Sequence, residues 1–457
     1  MQELERERQK DKGYWPERER IRKELYLEGA EGDEKRLRRT AREAKTKANR
    51  QRRRRRVIFV LCVALLVAAL FLVYSPFRNS LLGDGNRLLG KLTGQTAEQE
   101  QATYEEPQLQ EEQATQEEDA TEQPAGEEDT GENVYAATMT SEVKDSLADL
   151  PERVYVPNAI DGTIDVIDPA TFQVIDHYAV GQLPYHVTPS WDMSELLVNN
   201  EESSTFTVID PKTGRPSGTL SAPFPYNFYF TPDGKKAIVV VERLQQLEFR
   251  DTKTWELLGS VYIPWPGVDH IDFSADGSYF LASSEWSGVV SKVDTEKMEL
   301  VDHAEVGTLP IDIKLSPDGS VFYVADQGNM GVHVIDPKAM KEVGFIPTGQ
   351  GAHGLQISRD TKSLYVSNRL EGTISVIDLK TNKVTDTWVT GGTPDMLQLS
   401  PDGKQLWVSG RYDSAVYVLD TRTGELLSTI HTGVQPHGLV YFPNPGRFSL
   451  GHNGVYR

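Results

Sequence analysis

A single cysteine in 457 residues, Cys62, removes two kinds of chemistry at once. No disulfide can form within the chain, so any exported domain must be stabilised by burial alone, and a cysteine nucleophile is excluded away from residue 62. Catalytic signatures are also missing: there is no His-Glu-x-x-His, no Gly-x-Ser-x-Gly and no Walker loop. The stretch "GQGAHG" at 349–354 has Gly-x-Gly-x-x-Gly spacing but no βαβ context, which argues against a dinucleotide site. Between residues 95 and 133 there is no basic residue against 14 acidic ones. So polar and self-repelling a segment cannot bury enough apolar surface to offset its ordering entropy, and it is expected to stay extended.

What is present is unevenly distributed. Residues 1–56 carry 21 Lys or Arg against 12 Asp or Glu, residues 57–152 carry 4 against 19, and the remainder 23 against 37. The one long apolar run, "VIFVLCVALLVAALFLVY" at 57–74, is 18 residues without a charge. As a helix it would span roughly 27 Å, near the thickness of a bilayer core. "RRRRR" at 52–56 abuts it, so the positive-inside rule predicts a cytoplasmic amino terminus and an extracytoplasmic remainder. The long charged leader and the lack of an Ala-x-Ala-like site favour a signal anchor over a cleaved signal peptide. The expected order is a cytoplasmic basic region (1–56), a transmembrane signal anchor (57–74), an acidic low-complexity stalk (75–152), a folded domain (153–444) and a short tail (445–457). The protein is therefore expected at the cell membrane as a single-pass chain.

The folded part is a repeat. "DVIDPAT", "TVIDPKT", "EFRDTKT", "SKVDTEK", "HVIDPKA", "SVIDLKT" and "YVLDTRT" place Asp168, Asp210, Asp251, Asp294, Asp336, Asp378 and Asp420 at steps of 42, 41, 43, 42, 42 and 42. Turn chemistry such as "SPDG" and a β-rich run such as "LYVSN" recur in phase, and no helix-length pattern intervenes. Four short strands per period of about 42 residues predict an all-β fold, a seven-bladed β-propeller of four-stranded blades. The domain begins at a second strand, "RVYVPN", and ends on a partnerless first strand within "QPHGLVYF", so the last strand is expected to complete the first blade and remove an exposed edge.

"LYVSN" with "GTISVIDLKTNKV", and its weaker copies, resembles the YVTN-type β-propeller repeat of YncE-like exported proteins. The resemblance covers about residues 153–442 and implies the architecture. That wider group includes extracytoplasmic binding proteins, surface-layer proteins and relatives of propeller enzymes. The blades around "IVVVERLQQLEFRD" and "FLASSEWSGVVSKVD" depart from the pattern, so no residue role is carried across.

Function on a propeller belongs to the loops around the channel mouth. Aligning the turns that lead into the innermost strands puts Tyr185, Tyr226, Asp269, Ile311, His353, Asp395 and His437 in one ring. The next ring holds His186, Asn227, His270, Asp312, Gly354, Met396 and Gly438. Imidazole and carboxylate so arranged suit a ligand, a transition metal or acid–base work, although polar residues also suit any wet channel. Arg243, Arg369 and Arg411 on the same face suit a carboxylate or phosphate, and Trp265 and Trp286 a protein or glycan partner. No catalytic residue or metal ligand is assigned and no cofactor is predicted, with a transition metal at the mouth left open. The expected role is a binding or scaffolding module for an extracytoplasmic protein, glycan or small molecule. A lactonase-like or metal-dependent redox enzyme is the first alternative and a wall or surface-layer role the second. The acidic balance disfavours nucleic acid.

Overall fold

The computed structural model describes residues 133–452 and 455–457. The basic leader, the 57–74 anchor and the stalk up to residue 132 lie outside these residues. Among the described residues no helix is long and apolar enough to cross a membrane.

Seven antiparallel four-stranded sheets follow one another along the chain. Blade 1 is closed by both ends of the domain: Val440–Phe442 pairs with Arg153–Asn158, which is followed by Thr163–Asp168 and Gln173–Ala179. The innermost strands of blades 2 to 7 are Pro184–Pro189, Asn227–Phe230, Val268–Phe273, Pro310–Leu315, Ala352–Ile357 and Pro394–Leu399. Every residue of Pro184–Pro189, Val268–Phe273, Pro310–Leu315 and Pro394–Leu399 is buried, whereas Arg215–Ser221, the outermost strand of blade 2, is almost wholly exposed. Second strands have neighbouring blades on both faces, which is why sequences such as "KAIVVV" and "QLWVSG" are rich in consecutive apolar residues, whereas innermost strands such as "VDHIDF" and "PIDIKL" interleave apolar residues with buried polar ones.

The repeated letters have separate structural tasks. The aspartate closing each third strand caps an Asx-turn: Asp210 Oδ1 accepts from Lys212 N at 2.8 Å, Asp336 from Lys338 N at 2.7 Å and Asp420 from Arg422 N at 2.9 Å. The serine of "SPDG" braces the hairpin before the second strand, as Ser400 Oγ donates to Asp402 Oδ1 and accepts from Gln405 N. In "LYVSN", Asn368 at the strand end donates to Thr373 and Ser375 and accepts from Gly349 N, tying the loop after the second strand to the loop before the first.

Ser367, one residue earlier, has the most direct bearing on the channel. In blades 2, 4, 5, 6 and 7 the register between the two innermost strands shifts across two residues, at Pro184/Val187, Val268/Ile271, Pro310/Ile313, Ala352/Leu355 and Pro394/Leu397. Those two residues are the ring positions of the sequence alignment. A bulge releases them from the ladder and re-aims their side chains. The freed backbone N–H of the second one is taken by a side chain of the next strand: His186 N by Asn199, His270 N by Ser283, Gly354 N by Ser367 and Met396 N by Ser409. Ser367 Oγ also donates to Asp395 O of the following blade, so one hydroxyl fixes a bulge and joins two blades.

Residues 133–152, grouped with the stalk in the sequence reading, pack against the ring. Tyr135 is buried and its Oη donates to Leu315 O at 2.9 Å, and Leu147 joins the apolar cluster of Tyr155 and Val187. Tyrosine and leucine anchors of this kind end the low-complexity composition. The tail folds back as a hairpin, with Leu450 N donating to Val455 O at 2.7 Å and Arg457 N to Phe448 O at 3.2 Å. It docks on blade 3 through Phe230 N to Leu450 O, 2.9 Å. At Gly451, φ is +118° and a Cβ would stand 2.4 Å from Phe228 O, so only glycine lets the hairpin come this close.

Candidate metal centre

The bulged positions bring the histidines of separate blades to the channel axis. His186 of blade 2, His270 of blade 4 and His452 at the turn of the tail hairpin are each fully buried. One ring nitrogen from each lies within 4.8 Å of the other two. Their rings meet at centroid distances of 4.3 Å (His270 and His452), 4.6 Å (His186 and His452) and 5.6 Å (His186 and His270). Bonds of about 2.0–2.1 Å in a tetrahedral site imply ligand separations of about 3.3 Å, so contraction by under about 1 Å per ligand would close the set on one ion.

The partners of these rings are informative. Asp269 Oδ1 stands 2.8 Å from His270 Nδ1, without hydrogen-bond alignment, and His270 Nε2 has no hydrogen-bond partner. Neither nitrogen of His452 has one, the nearest carboxylate oxygen being Asp312 Oδ1 at 3.9 Å from Nε2. Buried polar atoms without partners are uncommon, because each forfeits its hydration for nothing. Burial lowers the His452 pKa well below the ordinary range, aided by His270 and His186, which keeps its lone pair available. At His270 burial pulls the pKa down, but Asp269 and Asp312 outweigh it and the net shift is upward. A carboxylate beside a ligating imidazole is the usual arrangement around a bound metal, where it orients the ring and raises its basicity.

A second constellation adjoins the first. Asp395, fully buried, is bonded by Arg369 through Nε (2.9 Å) and Nη2, and by His437 Nδ1 at 2.5 Å. His353 lies between, its Nε2 against Arg369 Nη2 and its Nδ1 3.2 Å from Asp395 Oδ1. Burial would raise the Asp395 pKa, but the Arg369 charge and the hydrogen bond from His437 hold it well below the usual carboxylate range. Both histidines are pushed well below theirs, by burial first and then by Arg369 at His353 and Arg411 at His437. The rings of His437 and His186 are 4.6 Å apart, so the two constellations touch.

Of the twelve residues singled out from sequence, nine converge here: His186, Asp269, His270, Asp312, His353, Arg369, Asp395, Arg411 and His437. Asp312 is buried, paired with Lys314 at 3.4 Å, and its Oδ2 accepts from Leu355 N. The other three stay outside the cluster. Arg243 is clamped between Glu201 (2.8 Å) and Glu202 (2.6 Å). Trp265 stacks on His303 of an outermost strand, and Trp286, 37% exposed, donates Nε1–H to Glu242 at 2.8 Å. His452, in the short tail to which the sequence pattern assigns no role, supplies the third imidazole. No periodic signal marks it because the tail is not part of the repeat.

The comparisons with known proteins follow the fold. The YncE-like β-propeller family matches residues 136–445, about two thirds of the chain. The chain belongs to that family. None of the curated proteins matches it significantly. Among solved structures, this YncE-like propeller is similar to a protein of unknown function from Desulfotomaculum acetoxidans, at 16% identity and a TM-score of 0.53 over 62% of this chain and 98% of that one. It is also similar to the dihydro-heme d1 dehydrogenase NirN in complex with DHE, at 16% identity and a TM-score of 0.51 over 65% and 77%. Kuenenia stuttgartiensis hydrazine synthase matches at 19% identity and a TM-score of 0.49 over 55% and 87%. At such identities the likeness is one of fold alone.

Proposed function

We propose that this YncE-like propeller is a metal-binding module that holds one late first-row transition ion on its axis through His186, His270 and His452. The observation that carries the reading is the convergence of three buried imidazoles from two blades and the tail, with His270 Nε2 and both nitrogens of His452 lacking hydrogen-bond partners. Neutral imidazole donors suit zinc, copper, nickel or cobalt, and three protein ligands leave a position for an exogenous ligand. The apolar run at 57–74 and the arginines before it support a tethered protein with the propeller on the extracytoplasmic side.

The test is elemental analysis of the full chain purified without chelator, followed by zinc titration of the chelator-treated protein. About one equivalent is expected in the wild type, with affinity lowered at least tenfold in His270→Ala and His452→Ala. Absence of metal together with no saturable zinc uptake overturns the reading.

A second reading, recognition of a macromolecular partner by the mouth face, has its own support. Loops after the second strand reach the loops leading into the first, as in Arg369 N to Gly351 O and Glu285 N to Gly267 O. Four of their tips expose apolar side chains: Ile160 (55%), Trp286 (37%), Met330 (46%) and Leu370 (52%). Photo-cross-linking from position 370 in cells, with position 343 on an outermost strand as control, separates the two readings. A specific adduct at 370 alone supports recognition, and adducts at neither position remove it.

A further inference from the structure

Asp395 is over-supplied with donors. Arg369 and His437 already occupy its two oxygens at short range, and the second guanidinium, Arg411, reaches Oδ2 only at 3.6 Å. Arg411 is 7% exposed and its Nε has no hydrogen-bond partner. Asp395 outweighs the burial penalty and keeps the guanidinium charged, but at this distance it leaves the Arg411 donors short of a close acceptor. The guanidinium carbon also lies 5.4 Å from the centre of the Tyr185 ring, and Tyr185 in turn packs edge-on against His437 at 5.8 Å.

His437 shows the complementary vacancy. His437 Nδ1 faces Asp395 Oδ2 at 2.5 Å, and a carboxylate already bonded by Arg369 acts as acceptor there, which places the His437 proton on Nδ1. Its Nε2 is therefore a lone-pair acceptor, buried and without a partner, on a ring 4.6 Å from His186 of the three-histidine set. Beside the three histidines stand Asp269 of blade 4 and Asp312 of blade 5, the latter paired with Lys314, whereas Arg369 and Arg411 come from the loops of blades 6 and 7 and face Asp395 of blade 7.

We infer that Arg411 and His437 form an anion subsite next to the metal position, which takes a small carboxylate or oxyanion as the ion's exogenous ligand. The inference rests on the metal reading above and adds the class of ligand. Arg411 supplies the charge and paired donors that planar anions require. His437 Nε2 accepts a proton-bearing group, such as a metal-bound water or the O–H of a hydrogen-bearing oxyanion. Asp395 and Arg369 act as positioning residues: they hold the His437 tautomer and do not contact the ligand.

Cobalt(II) makes this readable, because its visible bands respond to a change of coordination. The full chain, stripped of metal and reloaded with cobalt, is titrated with sodium formate, and bound cobalt is counted separately. Formate should shift the bands saturably in the wild type. Arg411→Gln should keep its cobalt while the apparent Kd for formate rises about tenfold or more, as expected for losing a charged hydrogen bond. Arg411→Lys, which keeps a charge but not the fork, should fall between them. Cobalt bound with bands indifferent to formate overturns the anion subsite and leaves the metal reading standing, as does Arg411→Gln titrating like wild type. Failure to take up cobalt overturns the metal reading, and this inference with it. Should Arg411→Gln not fold, the wild-type and Arg411→Lys titrations decide.

Discussion

The neutral histidines of the channel should make the metal-free protein sensitive to mild acid. His353 and His437 are buried and have pKa values pushed well below the ordinary range, by burial first and then by Arg369 and Arg411, against the opposing pull of Asp395. The direction follows from linkage. At pH 7.5 both groups are neutral whether the chain is folded or not, and they contribute nothing to the pH dependence. As pH falls below the unfolded value of about 6.5, the unfolded chain takes up a proton at each and the folded chain does not, so stability decreases. An imidazole that stays neutral in the folded chain while its unfolded counterpart protonates lowers stability by about 2 kcal/mol at pH 5, or about 4 kcal/mol for the pair. His270, shifted the other way, offsets part of the total, and His452 adds to it. The decisive quantity is therefore a difference. Urea unfolding of chelator-treated protein between pH 7.5 and 5 should show a loss about 4 kcal/mol larger in the wild type than in His353→Gln/His437→Gln, with m unchanged. Two curves that differ by less than about 1 kcal/mol would refute the claim that these imidazoles are neutral in the folded state.

Other outcomes follow from the clamps that shape the channel. Ser367→Ala should cost about 2–4 kcal/mol, because it orphans Gly354 N and Asp395 O together, each a buried group worth about 1–3 kcal/mol, and a midpoint shift under about 0.5 kcal/mol would refute the bridging role. Asp326, buried, accepts backbone N–H groups from Thr308, Leu309, Gly328 and Asn329 at 2.7 to 3.1 Å and meets His333 Nε2 at 3.2 Å. Burial works against its ionisation, but these donors depress its pKa, so its contribution is present at neutral pH and lost as pH falls through the low folded value. Asp326→Asn should cost about 1.5–3 kcal/mol at pH 7 and progressively less in acid, checked by the same unfolding series.

The architecture was legible because repetition converts a weak local signal into a strong one. Any one of "TVIDPKT" or "LYVSN" is a generic strand and turn, but seven in phase specify four-stranded units, their number and the circular closure at Arg153–Asn158. The ring alignment likewise identified seven of the residues that meet at the channel, with Arg369 and Arg411 coming from the adjoining loops, since a repeat puts equivalent positions at equivalent heights. It could not tell which ring residues touch. The bulges that turn Tyr185 with His186, or Asp269 with His270, toward the axis come from strand register, and the serine and asparagine side chains that hold them look like ordinary strand residues.

Four things were decided only in three dimensions. Arg243 looked like an anion ligand until Glu201 and Glu202 were found clasping it. Trp265 was drawn to an outermost strand by His303. Residues 133–152 share a composition with nothing repeated, yet Tyr135 and Leu147 anchor them to the ring. His452, in a tail with no repeat partner, completes the imidazole set because Gly451 lets a hairpin press against Asn227–Phe230. Sequence by itself determined how many blades there are, where each begins and which positions face the axis, all consequences of a period that chain connectivity must respect. The pairing of side chains across the axis depends on contacts between residues up to 266 positions apart, as between His186 and His452. Only the closed ring and its docked tail bring them together.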